Sequence, residues 1–464
     1  MEMLRTGFNP LESTQYMLDS ESLFTELEES IFLFPYITAS PIIVDLEMDG
    51  NDELLVPIQY YGNDPFHNNI LMEASISERN PSVSGIVAFD LQTKRIKYIR
   101  PLEITTDPSP VRTSIVAKPT VIDVNRDGKY DVIVATNTGH IHVLNHRLEP
   151  INGFPLAMDS IQGRPIVEDL NGDGFLEMIV TDKKGNVACF SLDTKTIIWD
   201  TKISGIVVAS PSLGDVDGDG KLDIVIATTA GHLWVFRAND GSSLQHFPAR
   251  LTGSFLASPL LIQMADGDSH LNIAVHSSDG HVYILNGKTG CTETIDVGHK
   301  GSHMIIADDL SNNNKMDLIV SAGDSIYALS SDVPFSPQRV WTSPDHGLNV
   351  HTSLGWQSIF FDVDHSQSLE ISGSSFAISF VIVDSRSPSA QKSYFVRIFV
   401  NRNIVLHEAT FFTPGTHTVV LNVPPERTSS LLHISMTNQH LQFYHDSVAV
   451  DFNTKFYRPL KVSS

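Results

Sequence analysis

Oxygen-bearing side chains recur in this chain at a spacing that suits a hard divalent cation. The pattern is D-x-[DNE]-x-D-G-x-x-[DE]. It appears as Asp45, Glu47, Asp49 and Glu53 (loop one) and as Asp123, Asn125, Asp127 and Asp131 (loop two). It returns as Asp169, Asn171, Asp173 and Glu177 (loop three) and as Asp215, Asp217, Asp219 and Asp223 (loop four). Positions 1, 3, 5 and 9 offer side-chain oxygens, and position 7 can add a backbone carbonyl. The glycine at position 6 permits a sharp turn around an ion. Flexible carboxylates favour calcium over magnesium, which demands a tighter octahedron and keeps its waters. Transition metals call for His or Cys, which these loops lack. An EF-hand would need glutamate at position 12 and flanking helices, but loop four has Ile226 there, inside a β-branched run. Acidic turns could be mere surface turns. Four copies in phase argue otherwise, because carboxylates this crowded repel one another unless a cation offsets them.

Two weaker copies follow. Loop six has Asp309, Ser311, Asn313 and Asp317, with Asn314 able to take the left-handed turn. It is a candidate for a fifth calcium. Loop five starts at Gln263 and lacks glycine after Asp268, so it is the weakest.

The loops must be held by strands. The first aspartates of loops two, three and four are 46 residues apart, and loop four to loop six is 94. Loop one to loop two is 78, which places an insertion near residues 60–84. A proline stands four residues before position 1 in five copies: Pro41, Pro119, Pro165, Pro211 and Pro259. A β-branched run follows each loop, as in Asp223–Thr228, then a glycine turn and an alternating strand, as in Gly231–Phe236. Four short strands per unit at this period give an all-β fold, a β-propeller with six visible repeats over residues 31–345. Residues 1–30 read as an acidic linker with weak helical periodicity. Residues 357–460 hold further strand-like runs, among them Phe376–Val383, Tyr394–Val400, Thr416–Leu421 and Leu431–Ser435, and read as a small β-sandwich.

Composition narrows the function. Lys+Arg is 31 against Asp+Glu 54, a net charge of −23, which argues against nucleic acid as a partner. Hydrophobic residues make up 41%, enough for a substantial core. Cys189 and Cys291 cannot build a disulfide framework, and Cys189 sits in an alternating run as a small core residue. His140, His232 and His281 each follow a blade glycine. They read as strand-start residues, since equivalent positions on separate blades cannot converge on one zinc ion. No elbow, P-loop or zincin motif occurs, so no catalytic residue is assigned and the protein is not expected to be an enzyme.

The loop with its flanking strands resembles the FG-GAP repeat of integrin α-subunit propellers. It is closest to the plant defective-in-exine-formation family, through Ala39–Gly50, the insertion after loop one, Ile161-Gln-Gly163, Asn186-Val-Ala188 and Pro414–Leu421. The similarity spans about residues 30 to 455. It implies a calcium-binding propeller and a β domain in a secretory-pathway, plasma-membrane or extracellular protein, and a role in pollen-wall patterning. The ligand would be a protein or a polysaccharide. Family members usually carry a signal peptide, further repeats and a membrane span. Membrane association is expected only through such segments, which residues 1–464 do not show. The alternative on the same fold is a carbohydrate-active enzyme of the polysaccharide-lyase kind.

Overall fold

Each acidic loop turns the chain between two antiparallel paired strands of a sheet. The residue before position 1 pairs with the position-9 acid in the same register five times: Val44 with Glu53, Ile122 with Asp131, Glu168 with Glu177, Gly214 with Asp223 and Asp308 with Asp317. This is a computed structural model. It describes residues 34–61, 82–105, 111–264, 269–301, 305–311, 313, 315–334, 340–341, 356–363, 368–388, 390, 392–401, 404–424 and 429–453. The expected linker 1–30, the core of the insertion and residues 265–268 of loop five lie outside these residues. Strands Glu53–Tyr61 and Ser82–Asp90 extend to both edges of the insertion, and Tyr61 pairs with Ser82.

The fold is all-β: propeller-type blades followed by a β-sandwich. Repeats two, three and four are four-stranded antiparallel sheets with strands in chain order. Repeat four runs Ser212–Gly214, Asp223–Ala227, His232–Arg237 and Ala249–Arg250. The second strand is buried along its whole length in repeats two to five: Asp131–Ala135, Glu177–Thr181, Asp223–Ala227 and Asn272–His276. A strand covered on both faces has no polar side to show, so its sequence reads as a continuous β-branched run. The fourth strands, such as Ile197–Lys202, are largely exposed. Repeat five gains a strand from downstream, as Val340–Trp341 pairs with Leu260–Ile262. The sixth sheet has three strands.

The chain divides into two compact units. One comprises Met1–Asp123, Asp127–Pro165 and Val180–Asn186, and the other Val124–Arg126, Ile166–Ile179 and Val187–Ser464. Within each unit, successive repeats are tied through their loops. Leu46 O of loop one accepts from Tyr130 N (3.0 Å), and Val216 O of loop four accepts from Leu271 N (3.2 Å). The proline before each first strand joins in. Thr120 Oγ1 donates to Pro165 O (3.0 Å), and Ser212 Oγ donates to Pro259 O (2.5 Å).

The C-terminal sandwich has sheets of three and five strands. Its strands Ser375–Asp384, Tyr394–Val400, Gly415–Asn422 and Ser429–Thr437 contain the four runs read from sequence. Phe380, Tyr394, Val396, Ile434 and Phe452 form part of its core. Cys189 is buried as expected, and burial pushes its thiol up to about 12.

Ile224 is fully buried in the central strand of repeat four. Ile224→Ala should therefore destabilise the protein by about 2–5 kcal/mol, measurable as a lowered midpoint in chemical denaturation.

Candidate metal centre

The loops share one hydrogen-bond frame. The position-9 acid caps the amide of position 2. Leu46 N donates to Glu53 Oε2 (2.9 Å), Leu170 N to Glu177 Oε2 (2.9 Å) and Val216 N to Asp223 Oδ2 (3.0 Å). The position-1 aspartate accepts the position-6 glycine amide: Gly50 (2.7 Å), Gly128 (2.9 Å), Gly174 (2.9 Å) and Gly220 (2.9 Å). Position 5 accepts from the amide of position 7: Asp49 from Asn51, Asp127 from Lys129, Asp173 from Phe175 and Asp219 from Lys221. Loop six keeps part of this frame. Asp309 Oδ1 accepts from Asn313 N (3.0 Å), and Asp317 Oδ2 from Ser311 N (3.3 Å) and Ser311 Oγ (3.2 Å).

A second left-handed position escaped sequence reasoning. Besides the glycine at position 6, position 4 has positive φ in all four loops: Met48 (57°), Arg126 (60°), Gly172 (76°) and Gly218 (79°). Only loops three and four put glycine at both, so loops one and two carry strain of about 1 kcal/mol each at position 4.

Loop four best fits a cation. Ligand oxygens of Asp215, Asp217 and Asp223 lie within 4.8 Å of one another, the one such group of three among the described residues. Asp223 is fully buried and its Oδ1 has no hydrogen-bond partner. Such an atom is costly unless something positive meets it. Oxygens already accepting an amide keep a second lone pair for an ion. Arg237 reaches this loop from outside, pairing with Asp219 Oδ2 and with Asp217 Oδ2 (3.1 Å). Burial pushes Asp223 up to about 8, and the Asp217 charge adds to it. Asp215 is raised by burial as well.

The other loops differ in what faces the acids. In loop one, Lys97 Nζ lies 2.6 Å from Glu53 Oε1 and 3.3 Å from Glu47 Oε2. Asp45 and Asp49 there serve the turn amides. In loop two, Asp123 and Asp131 are buried, whereas Asn125 and Asp127 lie nearer the surface. In loop three, Asn171 Nδ2 donates to Asp173 Oδ2 (3.0 Å), and buried Asp169 has Oδ1 without a partner. Burial pushes Glu177 up to about 8. It pushes Asp169 to about 6, against the pull of Arg386.

Loop three is also where the sandwich makes contact. Arg386 Nη1 lies 3.5 Å from Asp169 Oδ2, while its Nε and Nη2 hold Asp384 at 3.0 and 2.8 Å. Ser387 N donates to Gly172 O (3.1 Å). A Cβ on Gly172 would meet Ser387 N at 2.9 Å, so only glycine allows this approach. Gln439, His440 and Arg126 all donate to Gly174 O. Trp356 Nε1 donates to Asp169 O (3.0 Å), and Gln442 Nε2 to Glu168 Oε2 (2.9 Å). Burial and the neighbouring Asp169 charge push Glu168 up to about 8. None of these sandwich residues carries a motif that would have marked it.

The blade histidines lie at strand starts on three different sheets, as read from sequence. His140 and His142 instead flank Glu103 Oε1, at 3.0 and 3.1 Å. Burial alone would raise Glu103. Hydrogen bonds from His142, Thr138, Thr136 and Thr113 bring it down to about 2.

The FG-GAP-like repeat family matches residues 169–226, and the DEX1 beta-sandwich family matches residues 358–453. By these two matches the chain carries an FG-GAP-like repeat and a β-sandwich of the DEX1 kind. The repeat match starts at position 1 of loop three and runs just past loop four. No curated protein matches the chain significantly. Among solved structures, BBS1N in complex with ARL6DN is 13% identical, covering 76% of this chain and 93% of that one at a TM-score of 0.39. BamB from Moraxella catarrhalis is 15% identical, covering 65% and 98% at a TM-score of 0.33. Among the described residues no helix is long and apolar enough to cross a membrane.

Two outcomes follow from the buried charges. Native Asp223 and Glu177 keep protons that an unfolded chain releases above about pH 4. In chelator, stability should therefore fall as pH rises from about 4 to about 8 and level off above that. A series of melting curves should show this slope, flattened in the Asp223→Asn/Glu177→Gln variant. Arg386→Met would leave buried Asp384 with only the more distant Lys392 (3.8 Å) as counter-charge and should cost about 3 kcal/mol, read from denaturant midpoints.

Proposed function

We propose that this chain is a calcium-stabilised interaction scaffold of the cell surface or secretory pathway, with no catalytic activity of its own. The observation that carries this is the loop-four cluster, where Asp215, Asp217 and Asp223 converge and the buried Asp223 Oδ1 lacks a partner. A calcium ion there supplies positive charge to oxygens that burial otherwise forces to stay protonated. Loops two and three offer the same frame, and loop six part of it, with fewer converging oxygens, and come second. The frame lies between paired strands and contacts the next repeat, so an ion here stiffens the scaffold and performs no chemistry.

The partner is a protein or an acidic polysaccharide at loops exposed on a rigid framework. Kinship to DEX1 through the sandwich supports a wall- or surface-assembly setting, in line with the pollen-exine patterning that the resemblance implies.

Calcium at 100 times its dissociation constant should stabilise the protein by about 2.7 kcal/mol per site. Metal analysis after equilibrium dialysis should show one ion fewer per chain in Asp215→Ala and in Asp223→Asn. An unchanged count in both variants would reject loop four as a calcium site.

A further inference from the structure

We propose that loop one is closed by a lysine of the chain itself, Lys97, and takes up no calcium. Its position-9 acid has both oxygens engaged, unlike that of loop four. Glu53 is fully buried. Its Oε2 accepts from Leu46 N (2.9 Å) and its Oε1 from Lys97 Nζ (2.6 Å). The position-3 acid is engaged in the same way: Glu47 Oε1 accepts from Tyr98 OH (2.5 Å), and Oε2 lies 3.3 Å from Lys97 Nζ. One ammonium thus bridges two of the four acids that loop one could offer a divalent ion.

Lys97 and Tyr98 lie in strand Arg95–Thr105, outside the loop and its hairpin. The tether holds the ammonium in place without the entropy cost of capturing a free ion. The contrast with loop four is specific. Arg237 there meets the outer oxygens of Asp217 and Asp219, and the buried position-9 oxygen of Asp223 stays unmet. Glutamate at both positions 3 and 9 also matters. Its extra methylene lets Glu47 reach outward to Lys97 and Tyr98, whereas the aspartates of loop four converge.

The inference rests on the calcium reading only for its contrast, and the test separates the two. Calcium per chain and melting temperature, in calcium and in chelator, would be measured on the full chain. The variants are Lys97→Met, Glu53→Gln, Lys97→Met/Glu53→Gln and Asp223→Asn. Glu53→Gln should leave the calcium count of the parent protein unchanged. Lys97→Met should lower the melting temperature in chelator by about 5 °C or more. It should also bind one additional calcium that restores most of the loss. The double variant, which removes both charges, should recover stability in chelator and bind no additional ion. Loss of one ion in Glu53→Gln, or a Lys97→Met protein that melts like the parent in chelator, would overturn the proposal. If Lys97→Met does not fold, the calcium count in Glu53→Gln and the stability of the double variant decide it. An unchanged count in Asp223→Asn counts against loop four and leaves the Lys97 result standing.

Discussion

A carboxylate buried at the start of the strand after the loop organises repeats one, three and four. It accepts the amide of position 2, and the residue before the loop pairs with it across the hairpin. That single hydrogen bond fixes the strand register and the loop length together. It also brings a charge into a place that water does not reach. A buried carboxylate is tolerated only when protonated, paired or bound to a cation. The character of every loop follows from which of these it uses.

The repeats answer the same constraint in different ways. Loop one has a lysine at Glu53. Loop three has Arg386 of the sandwich near Asp169 and keeps Glu177 raised by burial. Loop four gathers three carboxylates around a partnerless oxygen. Identical motifs in the sequence therefore do not carry identical chemistry. Their neighbours decide, and those neighbours come from other strands or from another domain.

The sandwich meets a loop with glycine at both left-handed positions. Gly172 and Gly174 leave room for Ser387, Gln439 and His440, and the carbonyls of loop three become acceptors for sandwich donors. The acidic turn of loop three thereby serves as a contact point for the sandwich. The buried polar chain Glu168, Gln442, Asn438 and Gln357 gives the contact direction as well as adhesion.

The sequence by itself determined the repeat, the strand pairs around each loop, the sandwich and the acids at positions 1 and 9. All of these rest on local periodicity and turn chemistry, which a single chain segment displays. The β-branched runs after the loops form strands, whose burial along their whole length the structure added, and strand Tyr394–Val400 appeared with the bounds its alternation suggested. Left-handed position 4 was hidden in loops one and two, because Met48 and Arg126 adopt a glycine-like conformation that their side chains do not advertise. Only the tertiary structure decided which loop is met by which cation. Lys97 stands 44 residues from Glu53, and Arg386 stands 217 from Asp169. Electrostatic pairing depends on distance through space, and no spacing rule along the chain encodes it.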